Sequence, residues 1–152
     1  MLLIKNFVKS KMTIYKIKLL LLFTLISSVC HANDLIEFRK NAFKLNKEIL
    51  GSISKNVLEK DFQAIKEGAV IIADWANIML DYFPESSKNE ATKDEIWING
   101  RISEKFKRFA NENMKVAYTL IDAAETEDNS FILTRVRALG DTCQTCHKAF
   151  RN

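Results

Sequence analysis

The sequence is poor in the residues that interrupt helices. Its 152 residues include one proline and four glycines. Barrels, sandwiches and disordered linkers need frequent turn residues, so this scarcity disfavours all three and makes an all-helical protein the default. Histidine and cysteine are also scarce, with two and three copies. The length suits one domain.

The N-terminal segment predicts an export signal. Five lysines precede the apolar run 19–26, and small residues follow it up to Ala32. This order is typical of a secretory signal peptide. Residues 1–32 are therefore interpreted as a signal that is cleaved near Ala32, with Met12 as an alternative start, and 33–152 as the mature domain. In a Gram-negative source the domain would be periplasmic.

Two other interpretations of this segment were weighed. A membrane anchor is disfavoured because a bilayer takes about 20 apolar residues and the run 19–26 is shorter. Lipoprotein processing at Cys30 is the other alternative, but branched Val29 stands where a small residue is expected. The mature domain is accordingly predicted to have no membrane attachment.

Removal of the signal changes the charge. Its five lysines leave 18 of the 23 basic residues, against 19 acidic ones. Nucleic-acid binding needs a clear excess of Lys and Arg on the folded domain, so that function loses its support. The cysteines and histidine that remain are Cys143, Cys146 and His147.

These three residues form a C-x-x-C-H motif, the attachment signature of c-type haem. Cysteines at i and i+3 share one face of a helix and can form thioethers with the porphyrin, while the next imidazole binds iron. A thioredoxin-like site would need a strand before the motif, a zinc site would need a fourth ligand, and a structural disulfide would leave His147 unexplained. The motif therefore predicts one haem c per chain.

Apolar residues at spacings of three and four predict four amphipathic helices. The first runs from about Asp34 to Leu50 and ends at Gly51-Ser52, and the second runs from Val57 to Phe83 before Pro84. The third begins at Asp94 as N-cap, after a polar loop 85–93, and the fourth follows a turn at 125–130. The predicted core stripe of the first helix comprises Leu35, Phe38, Ala42, Leu45 and Ile49.

The stripes of the other helices are equally regular. They comprise Phe62, Ile65, Ala69, Ile72, Ala76, Met79 and Phe83 in the second helix, Ile102, Phe106, Phe109, Val116, Leu120 and Ala123 in the third, and Ile132, Val136, Leu139, Cys143, Cys146 and Phe150 in the fourth. Because both cysteines continue a core stripe, the haem is expected inside the bundle. The haem-free protein is expected to fold poorly, since a small helical core gains buried area from the haem.

A helical bundle with C-x-x-C-H in its last helix resembles the cytochrome c′ family, the class II c-type cytochromes. Ordinary class I cytochromes c carry the motif near the N-terminus. Weaker matches are Arg39, Gly51, Phe83, the runs 95–97 and 106–107, and the terminal run 149–151. The resemblance implies an all-α, antiparallel up-down-up-down four-helix bundle that encloses one covalently bound haem.

The resemblance also assigns roles. Cys143 and Cys146 would be the thioether links and His147 the proximal iron ligand. Arg151 matches a basic residue beside the proximal haem face, with a solvated terminal charge as the alternative. Arg39 matches an arginine near the haem, close to a propionate, with a surface charge as the alternative.

The sixth iron position decides the function. In this family it is filled by a methionine of the first helix or covered by an apolar side chain. The first helix here has no methionine, and the family's distal position falls on Phe43, which cannot bind iron. Five-coordinate iron follows unless Met79, Met114 or a lysine reaches it. A crowded apolar site without hydrogen-bond donors favours NO, and CO more weakly.

The predicted function is therefore electron transfer with a redox partner protein, binding of NO or CO, or both. The alternative is a low-spin, methionine-ligated cytochrome that acts purely as an electron carrier. No distal histidine or paired carboxylates indicate an enzyme. A homodimer through the exposed sides of the first two helices is expected, with Leu50 and Ile71 outside the main stripes.

Overall fold

The computed structural model describes residues 32–152. Leu35–Asn152 forms a compact unit, and Met1–Asp34 is a separate unit of which only 32–34 are described. The predicted signal peptide thus lies almost wholly outside the described residues. Within the described residues, no helix combines the length and the apolar character that a membrane crossing requires.

Four helices account for most of the described chain, as predicted. They are α1 (32–59), α2 (Phe62–Ile78), α3 (Glu104–Glu125) and α4 (Asn129–Phe150). Each of the last three begins at a side-chain cap, where Asp61, Ser103 or Asp128 accepts a backbone N–H of the first turn. The short links between α1 and α2 and between α3 and α4 make these pairs antiparallel neighbours.

The first helix is longer than predicted. Gly51 lies inside α1, which continues to residue 59 and gives way to Lys60 with a φ of 57°. A glycine inside a helix costs about 1 kcal/mol relative to alanine. Ile53 and Val57, each 1% exposed, bury their side chains in the following turns. Their burial offsets the cost of Gly51, so the predicted end at Gly51-Ser52 was wrong.

The predicted core stripe of α1 was wrong at two of its five positions, because Leu35, Ala42 and Ile49 are half-buried but Phe38 and Leu45 are not. Phe38 and Leu45 are 47% and 50% exposed. The inward stripe comprises Arg39, Phe43, Asn46, Leu50, Ile53 and Val57, all buried or half-buried. The polar residues at 39 and 46 interrupt this stripe in the sequence. Leu50, predicted to lie outside the stripes, packs against the core.

The second helix begins at Phe62, not at Val57 as predicted, and it ends before Phe83. An α-helix to Ile78 is followed by a 3₁₀ turn, Met79–Tyr82, and Phe83 comes next. The predicted stripe holds, because all its members are buried or half-buried. The polar loop that follows contains a further 3₁₀ turn, Glu85–Ser87, and Ser87 is fully buried.

The third helix begins ten residues later than predicted. Asp94–Ile96 is a 3₁₀ turn, followed by a hairpin of β1 (Trp97–Ile98) and β2 (Arg101–Ile102). The turn residues Asn99 and Gly100 have φ values of 52° and 76°. Asn-Gly is a strong signal for a tight hairpin, because both positions need positive φ. The N-cap assigned to Asp94 was therefore wrong.

The core is divided between three groups of buried side chains. The aliphatic cluster comprises Ile53, Val57, Ile65, Ala69, Ile72, Ala73, Ala117, Leu120, Ala123, Ala124, Ile132, Val136 and Leu139. The aromatic cluster comprises Phe83, Ile96, Trp97, Phe106 and Phe150. The Trp75 cluster comprises Trp75, Ala76, Met79 and Ala110. Half-buried Phe43 packs against the last two clusters and so connects them.

Candidate functional site

The C-x-x-C-H motif lies in the last turns of α4. Cys143 and Cys146 are half-buried free thiols, and the imidazole of His147 comes next on the more exposed side. Cys146 packs against the aromatic cluster. Residues i and i+3 of a helix are neighbours on one face, so both thiols are presented together. The helical placement of the motif is as predicted.

Burial dominates the electrostatics of both thiols. It raises the pKa of Cys143, although hydrogen bonds from Thr142 and Asn113 act in the opposite direction. Asn113 Nδ2 donates to Thr142 Oγ1 at 2.6 Å and points to Cys143 Sγ at 3.7 Å. Burial and the neighbouring Cys143 raise the pKa of Cys146 to about 11. Both thiols are therefore protonated at neutral pH.

His147 faces Phe43 of α1. Their ring centroids are 6.2 Å apart and the ring planes are nearly perpendicular, at 77°. Burial, and then the positive charge of Arg151, lower the pKa of His147. Both effects favour the neutral imidazole, which is the form that binds a metal. Arg151 itself is exposed and follows the end of α4.

Arg39 is buried, so its alternative role as a surface charge was wrong. The residue is 3% exposed. Its guanidinium donates to Ser87 Oγ at 2.7 Å, to the Ser87 carbonyl at 2.8 Å and to the Tyr82 carbonyl at 3.3 Å. It also lies 4.4 Å from the centre of the Phe83 ring. Arg39 thus ties α1 to the link after α2, and burial lowers its pKa.

Phe43 contacts aromatic rings and packs against the Trp75 cluster, to which Met79 belongs. Its ring centroid lies 5.3 Å from that of Trp75 and 6.3 Å from that of Phe83, in edge-to-face arrangements. Met79 belongs to the adjoining Trp75 cluster and is 4% exposed, and Met114 packs against the same cluster. Both methionines therefore have the core-packing environment expected for them.

Sequence reasoning missed three residues of this region. Ser87 receives the guanidinium of Arg39, and Trp75 contacts Phe43. Asn46 lies one turn beyond Phe43 on the inward stripe of α1, and its Oδ1 is buried without a partner among the described residues. Trp75 lies three residues after Ile72 and four before Met79, both predicted stripe residues, so its inward position could have been predicted from the spacing. Asn46 and Ser87 carry no comparable signal.

The residues present fit a covalently held haem. Two free, protonated thiols share a helix face, and the next residue is a histidine whose neutral form is favoured. The surrounding side chains are mostly aromatic, as a flat apolar macrocycle requires. Among residues 32–152, no set of three or more Cys, His, Asp and Glu side chains is grouped as a metal site. The chemistry of the donors thus suits a haem better than a zinc ion.

Comparisons with known proteins agree on one family. A model of the family described as Cytochrome C' matches residues 34–151. Cytochrome c' of Rhodospirillum rubrum is 32% identical over 123 residues, which are 76% of this chain and 80% of the relative.

Two solved structures have a similar fold. A cytochrome c' with an unusual ligand-controlled dimer dissociation has a TM-score of 0.70 at 23% identity, over 79% of this chain and 95% of its own. A nitric oxide complex of a mutant cytochrome c prime from Alcaligenes xylosoxidans has a TM-score of 0.69 at 20% identity, over 80% and 96% of the two chains.

Proposed function

Because the chain belongs to the cytochrome c′ family, whose members carry covalently attached haem c, we propose that it binds a small diatomic gas, NO or CO, at five-coordinate iron and also transfers electrons. Cys143 and Cys146 would hold the haem through thioethers, and His147 would be the iron ligand. When bound, the haem supplies an iron that changes oxidation state and takes up a gas.

The contact between Phe43 and His147 carries this proposal. The two rings lie 6.2 Å apart, on α1 and α4, so a side chain from the opposite helix faces the imidazole. A phenyl ring neither binds iron nor donates a hydrogen bond. Phe43 would therefore supply neither a sixth ligand nor a hydrogen bond to a haem held by His147, and such an environment would favour NO and, more weakly, CO. The structural neighbour from Alcaligenes xylosoxidans was solved with nitric oxide.

Two arginines would support the haem from either side. Buried Arg39 keeps a positive charge next to Phe83 and the Ser87 carbonyl, where an anionic propionate would be stabilised. Arg151 lies close enough to His147 for its charge to lower the pKa of the imidazole. We assign the first to a propionate and the second to the proximal face.

The second candidate is a purely electron-carrying cytochrome with a methionine as sixth ligand. The observation in its favour is that Met79 and Met114 both pack with the Trp75 cluster, against which Phe43 also packs. Both methionines are packed in the core, whereas Phe43 is the side chain that faces His147, at 6.2 Å between ring centroids. Phe43 therefore favours the five-coordinate site.

The remaining proposals concern location and assembly. We assign the domain to the periplasm after cleavage near Ala32, with a non-enzymatic role and a redox protein as partner. A homodimer through α1 and α2 is supported by apolar side chains that α1 and α2 leave exposed, namely Phe38, Leu45, Leu58, Val70, Ile71 and Ile78. The dimer of one structural neighbour dissociates under the control of a ligand.

Optical spectra of the ferric and ferrous haem protein, before and after NO and CO, test the proposal. High-spin bands that shift with either gas are expected. Low-spin bands that neither gas changes would overturn it in favour of the electron carrier. Met79→Leu and Met114→Leu would then show which sulfur binds, because only the variant lacking the ligand would become high-spin. Both substitutions nearly conserve volume.

A further inference from the structure

The two tryptophans of the chain are both buried but differ in hydrogen bonding. Trp97 Nε1 donates to the Phe83 carbonyl at 2.7 Å. Trp75 is 7% exposed, and its Nε1 has no partner among residues 32–152. A buried donor without an acceptor lowers stability. A smaller apolar ring at position 75 would avoid that loss of stability. The packing contacts of the indole must therefore account for a tryptophan at this position.

The indole of Trp75 packs against the ring of Phe43. Their ring centroids are 5.3 Å apart and the planes meet at 89°, an edge-to-face contact. Tyr82 and Phe38 lie against the indole at centroid distances of 5.6 and 6.1 Å. The indole is therefore fixed by its neighbours, while Phe43 is contacted by it and also faces His147 at 6.2 Å.

We propose that Trp75 is a positioning residue that braces Phe43 and thereby sets how fast a diatomic gas reaches the iron. The inference rests on the proposed function, because it assumes a gas that enters past Phe43. A ring held between a rigid indole and the haem side of the bundle has little freedom to move aside. Removal of the indole gives Phe43 that freedom and speeds entry.

The rate of CO association with the ferrous haem protein tests this role. Trp75→Leu removes the large ring, and Trp75→Phe keeps an aromatic contact without the N–H. An aromatic pair is strong enough to change a rate by about threefold to tenfold. We expect an increase of that size in Trp75→Leu and a rate within about twofold of wild type in Trp75→Phe.

A matched control separates bracing from general loosening. Leu120 is fully buried in the aliphatic cluster, away from Phe43, so Leu120→Ala weakens the fold without touching the distal side. Its CO association rate should stay within about twofold of wild type, since the lost contacts lie in another part of the core. Ring-flip rates of Phe43 measured by NMR give a second readout, and they should rise only in Trp75→Leu.

Three outcomes would overturn the inference. They are an unchanged CO rate in a folded Trp75→Leu variant, an equal increase in Leu120→Ala, and a Phe43 ring-flip rate that Trp75→Leu leaves unchanged. If the wild type takes up CO and Trp75→Leu has no effect on the rate, only the bracing role of Trp75 is ruled out. If the wild-type protein takes up no CO, both the proposed function and the bracing role are ruled out.

Discussion

Where α1 meets α2 and α3 meets α4, the buried side chains are aliphatic. Toward the other end of the bundle they are mostly aromatic, and they are joined by two thiols, an imidazole and a buried guanidinium. Aliphatic side chains such as Ile, Leu, Val and Ala pack closely without polar partners and need no bound cofactor. The aromatic end also contains polar groups, and a polar group lowers stability when it is buried without a partner.

This difference indicates that the two ends of the bundle are stabilised in different ways. The aliphatic cluster joins α1, α2, α3 and α4 through side chains that need no polar partner. The aromatic and Trp75 clusters arrange flat side chains around Cys146 and Phe43. We therefore expect stability to depend on the haem at one end and to be independent of it at the other.

Loss of both thiols should have the largest effect. Cys143→Ala combined with Cys146→Ala should abolish covalent haem attachment completely, because no other described cysteine can form a thioether. Haem staining after denaturing electrophoresis measures this. Thr145→Ala, at an exposed position between them, should retain full staining. Covalent haem in the double variant would contradict the assigned site.

The same double variant, prepared without haem, should also distinguish the two ends of the bundle. Amides near Ile65 and Leu120 should remain protected from hydrogen exchange, whereas those near Phe83 and Phe106 should exchange at least about a hundredfold faster, as regions of low local stability do. The physical reason is that only the aliphatic cluster keeps its packing when the haem is absent. Uniform protection along the chain would contradict the expected difference between the two ends of the bundle. Cooperative thermal unfolding close to that of the haem protein would contradict it as well.

Substitution of the buried guanidinium should have an intermediate effect. Arg39→Met removes three hydrogen bonds and leaves Ser87 without its donor. We expect a loss of about 2–4 kcal/mol in the free energy of unfolding, measured by urea denaturation. Lys40→Met, at the exposed neighbouring position, should stay within about 0.5 kcal/mol. Equal stabilities of the two variants would show that the Arg39 contacts are dispensable.

The smallest expected effect concerns two glycines at the aliphatic end. A Cβ at Gly51 meets nothing within 4 Å, so Gly51→Ala should raise the free energy of unfolding by about 0.5–1 kcal/mol through helix propensity. A Cβ at Gly68 would lie 2.9 Å from Ile53 Cγ1, so Gly68→Ala should lower it. The same urea titration measures both. A destabilising Gly51→Ala would argue against the continuous α1.

Prediction from sequence succeeded where the signal was local. The stripes of the last three helices and the helical placement of Cys143, Cys146 and His147 follow from spacing alone. It failed at Gly51 and Asp94, where a glycine and a capping residue normally mark helix ends. At Gly51 the burial of Ile53 overrode the local preference, and at Asp94 the turn at Asn99 and Gly100 introduced a hairpin.

Helix periodicity and motif spacing are properties of neighbouring residues, so the sequence alone predicts a helical bundle with a haem c motif in its last helix. Which stripe of α1 faces inward depends instead on how the helices pack against one another. The same holds for the partners of Arg39 and for the contact of Trp75 with Phe43. These depend on residues that are distant in sequence, as when Tyr82 and Ser87 provide the acceptors that allow Arg39 to turn inward.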